Sequence, residues 1–451
     1  MATNKSIFVC QSCGHRSPRW LGRCTECGEW DTYVEEAAPS KKDVAVARSV
    51  PSTVVPLAEV VEERASRWPS GLDLVDRVLG GGVVAGGVVL LAGEPGIGKS
   101  TLLLQLGDRL AGVGTRVLYA SAEESPRQLR LRAERLGCRE AGLLVAGETG
   151  LEALLAALDQ ERPGAVLIDS IQALRSETLD GPPGSIGQVR TCAERLVGWA
   201  KEHEAALFLV GHVTKEGNIA GPKSLEHLVD TVLTFEGDRS AEFRLLRAQK
   251  NRFGPTGEVA LFEMRDVGLI EVKDPSRVLL AQRRGNHPGS AVVASLHGSR
   301  PLLVEIQALV APSNLPSPRR MVIGLDTNRV VLLTAVLQRF AGVDLAGLDL
   351  FLNVVGGLVL KEPAVDLGVA AAILSAVRER SLPEGAAFLG EVGLLGEVRP
   401  VSQTEARLRE IGALGLERVF VPRVEKRNVP KGVSASMLEN IDELGPLVFG
   451  S

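Results

Sequence analysis

Residues Gly93, Glu94, Pro95, Gly96, Ile97, Gly98, Lys99 and Ser100 match the pattern G-x-x-x-x-G-K-[ST] at every fixed position. That spacing suits a loop that wraps phosphate. Glycines at 93, 96 and 98 let consecutive backbone N–H groups turn inward around phosphate oxygens. Lys99 is then placed to reach β- and γ-phosphates, and the Ser100 hydroxyl to bind Mg²⁺. Thr101 opens a helix whose positive N-terminus faces the same anion.

Two further groups fit nucleotide hydrolysis. The apolar run Ala165-Val166-Leu167-Ile168 ends in Asp169, a carboxylate suited to the Mg²⁺ shell, partly through water. The run Arg116–Ala120 ends in Ser121-Ala122-Glu123-Glu124, where a carboxylate can orient and activate an attacking water. Glu123 is favoured for that role. Glu124 stays open, because it also suits a helix start and a capping box with Ser121.

A separate cluster suits metal. Cys10-x-x-Cys13 and Cys24-x-x-Cys27 are two thiolate pairs aimed at one ion, and Gly14 and Gly28 follow each pair. Four thiolates saturate tetrahedral zinc and leave no open position, so the expected role is structural. Cys138 and Cys192 lack ligand spacing and read as small core residues.

The elements that must position these groups follow from hydrophobic pattern. Strands are expected at Val88–Ala92, Arg116–Ala120, Ala165–Ile168, Ala206–Val210, Thr231–Phe235 and Glu242–Ala248. Helical patterns between them point to a parallel α/β sheet with crossover helices. Long Gly- and Pro-rich loops at 175–190 and 213–228 follow strands, and their cations suit a phosphate backbone; Lys215 and Lys223 are the candidates in the second. Residues 34–55 have no period and read as a linker.

Bulk composition narrows the class. The chain has 451 residues, long enough for two or three domains. Its net charge of −4 means that a nucleic-acid partner needs a local basic patch. Aromatics are only 4%, which excludes base stacking over a wide surface. The N-terminal residues carry no apolar signal segment and no run reaches membrane-spanning length, so a cytoplasmic protein with no membrane partner is expected.

At Lys250-Asn251-Arg252-Phe253-Gly254 the pattern becomes specific. With the four cysteines and the phosphate loop, this block resembles the bacterial RadA (Sms) family of RecA-related DNA repair ATPases. The resemblance covers essentially the whole chain, including Arg300–Val310. It implies an α/β fold in four parts: a four-Cys zinc finger at 1–33, the linker at 34–55, a RecA-like ATPase domain at 56–270, and a Lon-protease-like α+β domain at 271–451. It also implies ATP, Mg²⁺ and Zn²⁺ as cofactors. The implied assembly is a hexameric ring on single-stranded and branched DNA that drives branch migration, with RecA recombinase as a partner. Lys250 and Arg252 are then trans-acting fingers that reach the nucleotide of a neighbouring subunit.

The last third resembles Lon-type proteases at Glu362–Gly368 and Gly390–Val401. Those enzymes use a Ser–Lys dyad. The stretch that should carry the serine offers Ala364, Val365 and Asp366, and the lysine position holds Glu405, so no peptidase activity is expected. Ser375 reads as a core hydroxyl. Arg319 and Arg320, in a Pro-rich loop, are further DNA-binding candidates. Two other readings stand beside the DNA motor. One is a RecA-fold assembly ATPase of the KaiC or DnaB type. The other is an ATP-dependent peptidase, which the missing dyad opposes.

Overall fold

Short runs of Val, Leu, Ile and Ala become strands buried on both faces, because helices cover them from either side. The computed structural model describes residues 6–10, 15–26, 28–37, 67–212, 224–237, 242–281, 283, 287–315, 317–424 and 426–450. Cys13, Cys27, Lys215, Lys223 and most of the 34–55 linker lie outside the described residues. The chain divides into two units. The first is Met1–Glu236, Leu245–Thr256 and Met264–Glu271; the second is Gly237–Arg244, Gly257–Glu263 and Val272–Ser451.

The N-terminal segment forms a three-stranded antiparallel ribbon of β1 (Ser6–Cys10), β2 (Arg16–Ser17) and β3 (Tyr33–Ala37). Its last strand runs past residue 33, into the stretch that sequence assigns to linker. The pairing of Val34 with Val9 and Glu35 with Phe8 holds it there.

A small hairpin of β4 (Arg67–Trp68) and β5 (Val83–Val84) brackets α1 (Asp73–Leu79). Nine strands then build one sheet. They are β6 (Val88–Gly93), β7 (Val117–Ser121), β8 (Leu143–Ala146), β9 (Ala165–Asp169), β10 (Ala206–His212), β11 (Thr231–Glu236), β12 (Phe243–Asn251), β13 (Val259–Arg265) and β14 (Gly268–Glu271). The spatial order is β14-β13-β12-β11-β6-β10-β9-β7-β8. The pairs from β8 to β11 are parallel.

The all-parallel expectation fails at β12, which is antiparallel to β11. Only residues 237–242 join the two, too few for a crossover helix. Strand β8 escaped the sequence reading because it is a short edge strand without a fully buried face.

On one face lies α2 (Lys99–Gly112). It packs so closely on β9 that a Cβ at Gly107 would stand 2.7 Å from a Leu167 methyl. On the other face, α4 (Leu151–Glu161) and α5 (Ile186–Glu202) bury Leu154, Leu158, Cys192 and Leu196 against Val166, Ile168 and Leu207. Leu167 and its neighbours Val166 and Ile168 thus serve opposite faces, as strand alternation requires. Cys138 and Cys192 are both buried, and burial pushes each thiol up to about 11, away from reactive thiolate chemistry.

Helix α3 (Pro126–Leu136) begins later than Ser121 and Glu124 suggest. Ser125 is its N-cap, Pro126 opens it, and Gln128 completes a reciprocal capping box. The five-residue α6 (Ser224–Leu228) precedes β11.

The second unit holds α7 (Pro275–Ala281) and a seven-stranded sheet. Its strands are β15 (Ser290–His297), β16 (Arg300–Pro312), β17 (Arg320–Ile323), β18 (Leu348–Val354), β19 (Ala386–Phe388), β22 (Arg418–Val421) and β23 (Ser434–Met437). A separate hairpin pairs β20 (Glu391–Val392) with β21 (Val398–Arg399). The helices are α8 (Thr327–Phe340), α9 (Asp366–Val377), α10 (Thr404–Ala413) and α11 (Leu444–Phe449). The apolar α9 is buried along its length, and Gly368 lets it approach β15, where a Cβ would meet Val293 at 2.0 Å. No helix among the described residues is long and apolar enough to cross a membrane.

Candidate nucleotide site and metal ribbon

The phosphate loop leaves the C-terminal end of β6, a position where ligands bind in open α/β sheets. Its three glycines answer to two different demands. Gly96 and Gly98 have φ of +78° and +117°, open to glycine with little strain. Gly93 is needed for space, since a Cβ there would stand 2.8 Å from the Phe235 carbonyl oxygen. Lys99 begins α2 and is buried, donating from Nζ to the carbonyls of Gly93 (2.8 Å) and Glu94 (2.9 Å). Ser100 and Thr101 follow in the first turn, half-buried, and Glu94 and Pro95 are exposed.

Asp169 ends β9 at the same edge, level with Ser121 of β7. Its Oδ2 accepts a 2.6 Å hydrogen bond from the buried Tyr119 hydroxyl. The next residue, Ser170, donates from Oγ to Glu123 Oε1 at 2.5 Å. Glu124 has other partners: its carboxylate pairs with Arg132 on α3, and its N–H donates to Ser121 Oγ. Glu123 is thus tied to the Asp169 strand end through Ser170, while the Glu124–Arg132 pair lies close enough for its charges to act on the Tyr119 hydroxyl. The residues fit a Mg²⁺–nucleotide, with a hydroxyl, a carboxylate and a lysine on one edge of the sheet.

Lys250 and Arg252 lie elsewhere. Asn251 pairs with Thr231, which pairs with Val89, four residues before Gly93. At about 3.3 Å per residue this puts the end of β12 roughly 13 Å along the strand direction from the start of the phosphate loop, toward the opposite sheet edge. Lys250 Nζ donates to the carbonyls of Glu226 (2.6 Å) and Val229 (2.7 Å). Burial, and then the nearby Arg252 charge, hold Lys250 below the ordinary lysine value. Arg252 pairs with Asp230 at 3.1 Å.

The rest of that block is scaffold. Asn251 Oδ1 accepts from the Phe253 N–H at 2.9 Å, and Asn251 Nδ2 reaches the Val78 carbonyl at 3.3 Å. Phe253 lines a small cavity with Leu79, Val84 and Val89. Gly254 lies against Gly80, where a Cβ on either would fall within 2.8 Å of the other's Cα.

Three participants escaped the sequence reading: Tyr119, Ser170 and Asp230. Tyr119 carried a signal, since a tyrosine inside a buried strand needs a hydroxyl partner.

In the ribbon, Cys10 and Cys24 are buried. Cys10 N–H donates to His15 O (2.9 Å) and Cys24 N–H to Glu29 O (2.8 Å). Gly28 has φ +77°, as a knuckle requires. Thr32 Oγ1 lies 3.1 Å from Cys10 Sγ, and the Tyr33 hydroxyl donates to Cys24 Sγ at 3.6 Å. Both sulfurs thus sit where thiolates can be buried and hydrogen-bonded, which fits zinc.

Of the remaining candidates, Arg319 is exposed, with its N–H on Asp349. The Arg320 guanidinium is engaged by the carbonyls of Leu348 (2.6 Å) and Arg319 (3.0 Å). The 175–190 loop is laced at its base: Gln188 bonds Ser176 and Leu179, and Glu152 binds Ser176. At the positions compared with the protease dyad, buried Asp366 forms an ion pair with Arg329 and accepts from Val392 N–H. Glu405 is exposed beside Arg409.

Comparison with known proteins decides the family. A family model described as an AAA domain matches residues 58–218, and one described as a rubredoxin metal binding domain matches 8–35. The chain is 46% identical over 450 residues to the DNA repair protein RadA of Bacillus subtilis, covering 98% of both chains. It is 48% identical to that of Pseudomonas aeruginosa, covering 97% of this chain and 96% of the relative. The chain belongs to the RadA family of DNA repair proteins. Among solved structures, the RadB recombinase aligns at 22% identity and a TM-score of 0.37, covering 45% of this chain and 99% of its own. In this RadA relative the phosphate loop falls within the match to the AAA domain model, and Cys10 and Cys24 within the match to the metal binding domain model.

Proposed function

We propose that this chain is a DNA-dependent ATPase of recombination, acting as a hexameric ring on single-stranded DNA to drive branch migration. Each nucleotide site is shared between copies. The observation that carries this reading is the position of the two block cations. Lys250 and Arg252 stand toward the opposite edge of the sheet from the phosphate loop of their own chain, so they serve a nucleotide only across an interface. Cations supplied from a neighbour stabilise transition-state charge and link hydrolysis to subunit movement.

Within a site, Lys99 exchanges its carbonyl partners for phosphate oxygens. Glu123 orients the attacking water. Ser100 and Asp169 hold Mg²⁺, which when bound neutralises phosphate charge. Cys10, Cys13, Cys24 and Cys27 hold zinc as a structural centre. Lys215, Lys223 and Arg319 follow the DNA backbone; Arg320 shapes the start of β17. RecA recombinase is the expected partner and the cytoplasm the expected location. The second unit acts as a scaffold without peptidase activity.

The test is ATP hydrolysis with and without single-stranded DNA at low salt, where backbone binding is strongest. Stimulation supports the motor. Equal rates overturn it and favour an assembly ATPase. Lys99→Ala should abolish hydrolysis. Arg252→Ala should lose hydrolysis while keeping nucleotide affinity, because its role lies in the transition state.

A further inference from the structure

Asp230 is a buried acid at the start of β11, 5% exposed. Its backbone is fixed on both sides: its N–H donates to Val88 O (3.0 Å), and its carbonyl accepts from Arg252 N–H (3.1 Å). Its carboxylate is divided between two tasks. Oδ2 accepts from Val88 N–H at 3.1 Å, and Oδ1 accepts from Arg252 Nη1 at 3.1 Å. Lys201 on α5 stands 3.8 Å from the same Oδ1.

The two tasks have different chemical needs. The Val88 N–H asks only for an oxygen, which an asparagine also provides. The guanidinium asks for a charge, and more than half of the Arg252 side chain is exposed, so little else in the described surroundings restrains it. A carboxylate nine-tenths buried is costly to keep for a backbone bond alone.

We infer that Asp230 is a positioning residue for the finger, holding the half-exposed Arg252 guanidinium in place for use by the neighbouring site. The inference rests on the shared-site reading above. Asp230 touches neither nucleotide nor reacting atoms. It fixes the root of the finger to Val88, the first residue of the strand that leads to the phosphate loop, so the finger starts from a rigid base.

The test uses the full-length protein and Asp230→Asn, which keeps the oxygen for Val88 and removes the charge. Thermal midpoint and fluorescent-nucleotide affinity should stay near wild type. DNA-stimulated hydrolysis should fall roughly ten- to a hundredfold, the weight of one charge-assisted hydrogen bond. The decisive step is mixing. Asp230→Asn supplies an intact phosphate loop and Lys99→Ala an intact finger, so mixed assemblies should recover activity that neither has alone. Arg252→Ala mixed with Lys99→Ala is the control. If the control recovers and the Asp230→Asn mixture does not, Asp230 acts within its own site and the inference is overturned. If the control also fails, the shared-site reading falls instead. A variant that no longer folds or binds nucleotide makes Asp230 part of the sheet frame and equally overturns the inference.

Discussion

The Tyr119 hydroxyl stands 2.6 Å from Asp169 Oδ2, joining the middle of one buried strand to the end of its parallel neighbour. Burial, with the adjacent Asp169 charge, raises the phenol well above its ordinary value, so it stays a donor throughout the working pH range. On the proposed assignment, the hydroxyl fixes one carboxylate oxygen and leaves the other for the Mg²⁺ shell. Tyr119→Phe leaves Oδ2 without that donor, a loss of about 1–2 kcal/mol. The expected result is a several-fold rise in the Mg²⁺ concentration needed for nucleotide binding, read by fluorescent ATP. Affinity in EDTA should be unchanged. An unaltered Mg²⁺ dependence would remove Tyr119 from the site.

Glu123 and Glu124 are neighbours in sequence but take different partners. Glu123 meets Ser170 beside Asp169, whereas Glu124 is paired with Arg132 on α3. Glu123→Gln should reduce kcat by about 10²-fold or more with little change in nucleotide affinity. Glu124→Gln loses a mostly buried, charge-assisted bond to Arg132, worth about 1.5–3 kcal/mol of stability, and should still hydrolyse ATP at a near-normal rate. The reverse ranking in steady-state kinetics would transfer the role to Glu124.

Gly254 is required by its approach to Gly80. A Cβ on Gly254 would stand 2.6 Å from the Gly80 Cα, and neither backbone has a side chain that can swing aside. Gly254→Ala should cost about 1–3 kcal/mol, the usual range for overpacking, measured as a lowered thermal midpoint. Because the same turn carries Arg252, DNA-stimulated hydrolysis should fall further than stability alone explains.

Sequence made the nucleotide edge legible because the loop chemistry and its flanking strand and helix agree at every level. Lys99, Asp169 and Glu123 fall at one edge because parallel strands end there together. The reversal at β12 was less legible, since a buried apolar run reads alike whether parallel or antiparallel. Its short connection to β11 was the signal. Asp230 was invisible for another reason: a single acid before an apolar run says nothing until register sets it beside Arg252. The reach of β3 to Ala37 was hidden because Glu35 and Glu36 lack an apolar pattern. Pairing with β1 decides their state rather than their own propensity.

The ribbon has a small core, in which Cys10, Cys24 and Tyr33 are buried with Phe8 and Leu21 against them. So small a core needs a further tie to hold three short strands, and on the proposed assignment four thiolates supply it through zinc. Purified protein should carry one zinc per chain, and Cys24→Ser should lose it. Chelation should expose the ribbon to proteolysis while leaving ATP affinity intact, because the phosphate loop depends on the nine-stranded sheet. Stoichiometric zinc retained by Cys24→Ser would overturn the ligand assignment.

Asp366 lies in the stretch 364–366, where the resemblance to Lon-type proteases would expect a nucleophile, and it is held by Arg329 and the Val392 N–H. A carboxylate so engaged has no route to attack a peptide carbonyl, and Glu405 on α10 carries no ammonium to activate one. Casein and fluorogenic peptides should remain uncut with ATP and DNA present. Asp366→Ala should instead leave Arg329 with the Val392 carbonyl alone and cost about 1.5–3 kcal/mol, the weight of a charge-assisted hydrogen bond. The readout is a clear drop in the unfolding midpoint of the second unit. Cleavage by the wild type that disappears in Asp366→Ala would reverse this assignment.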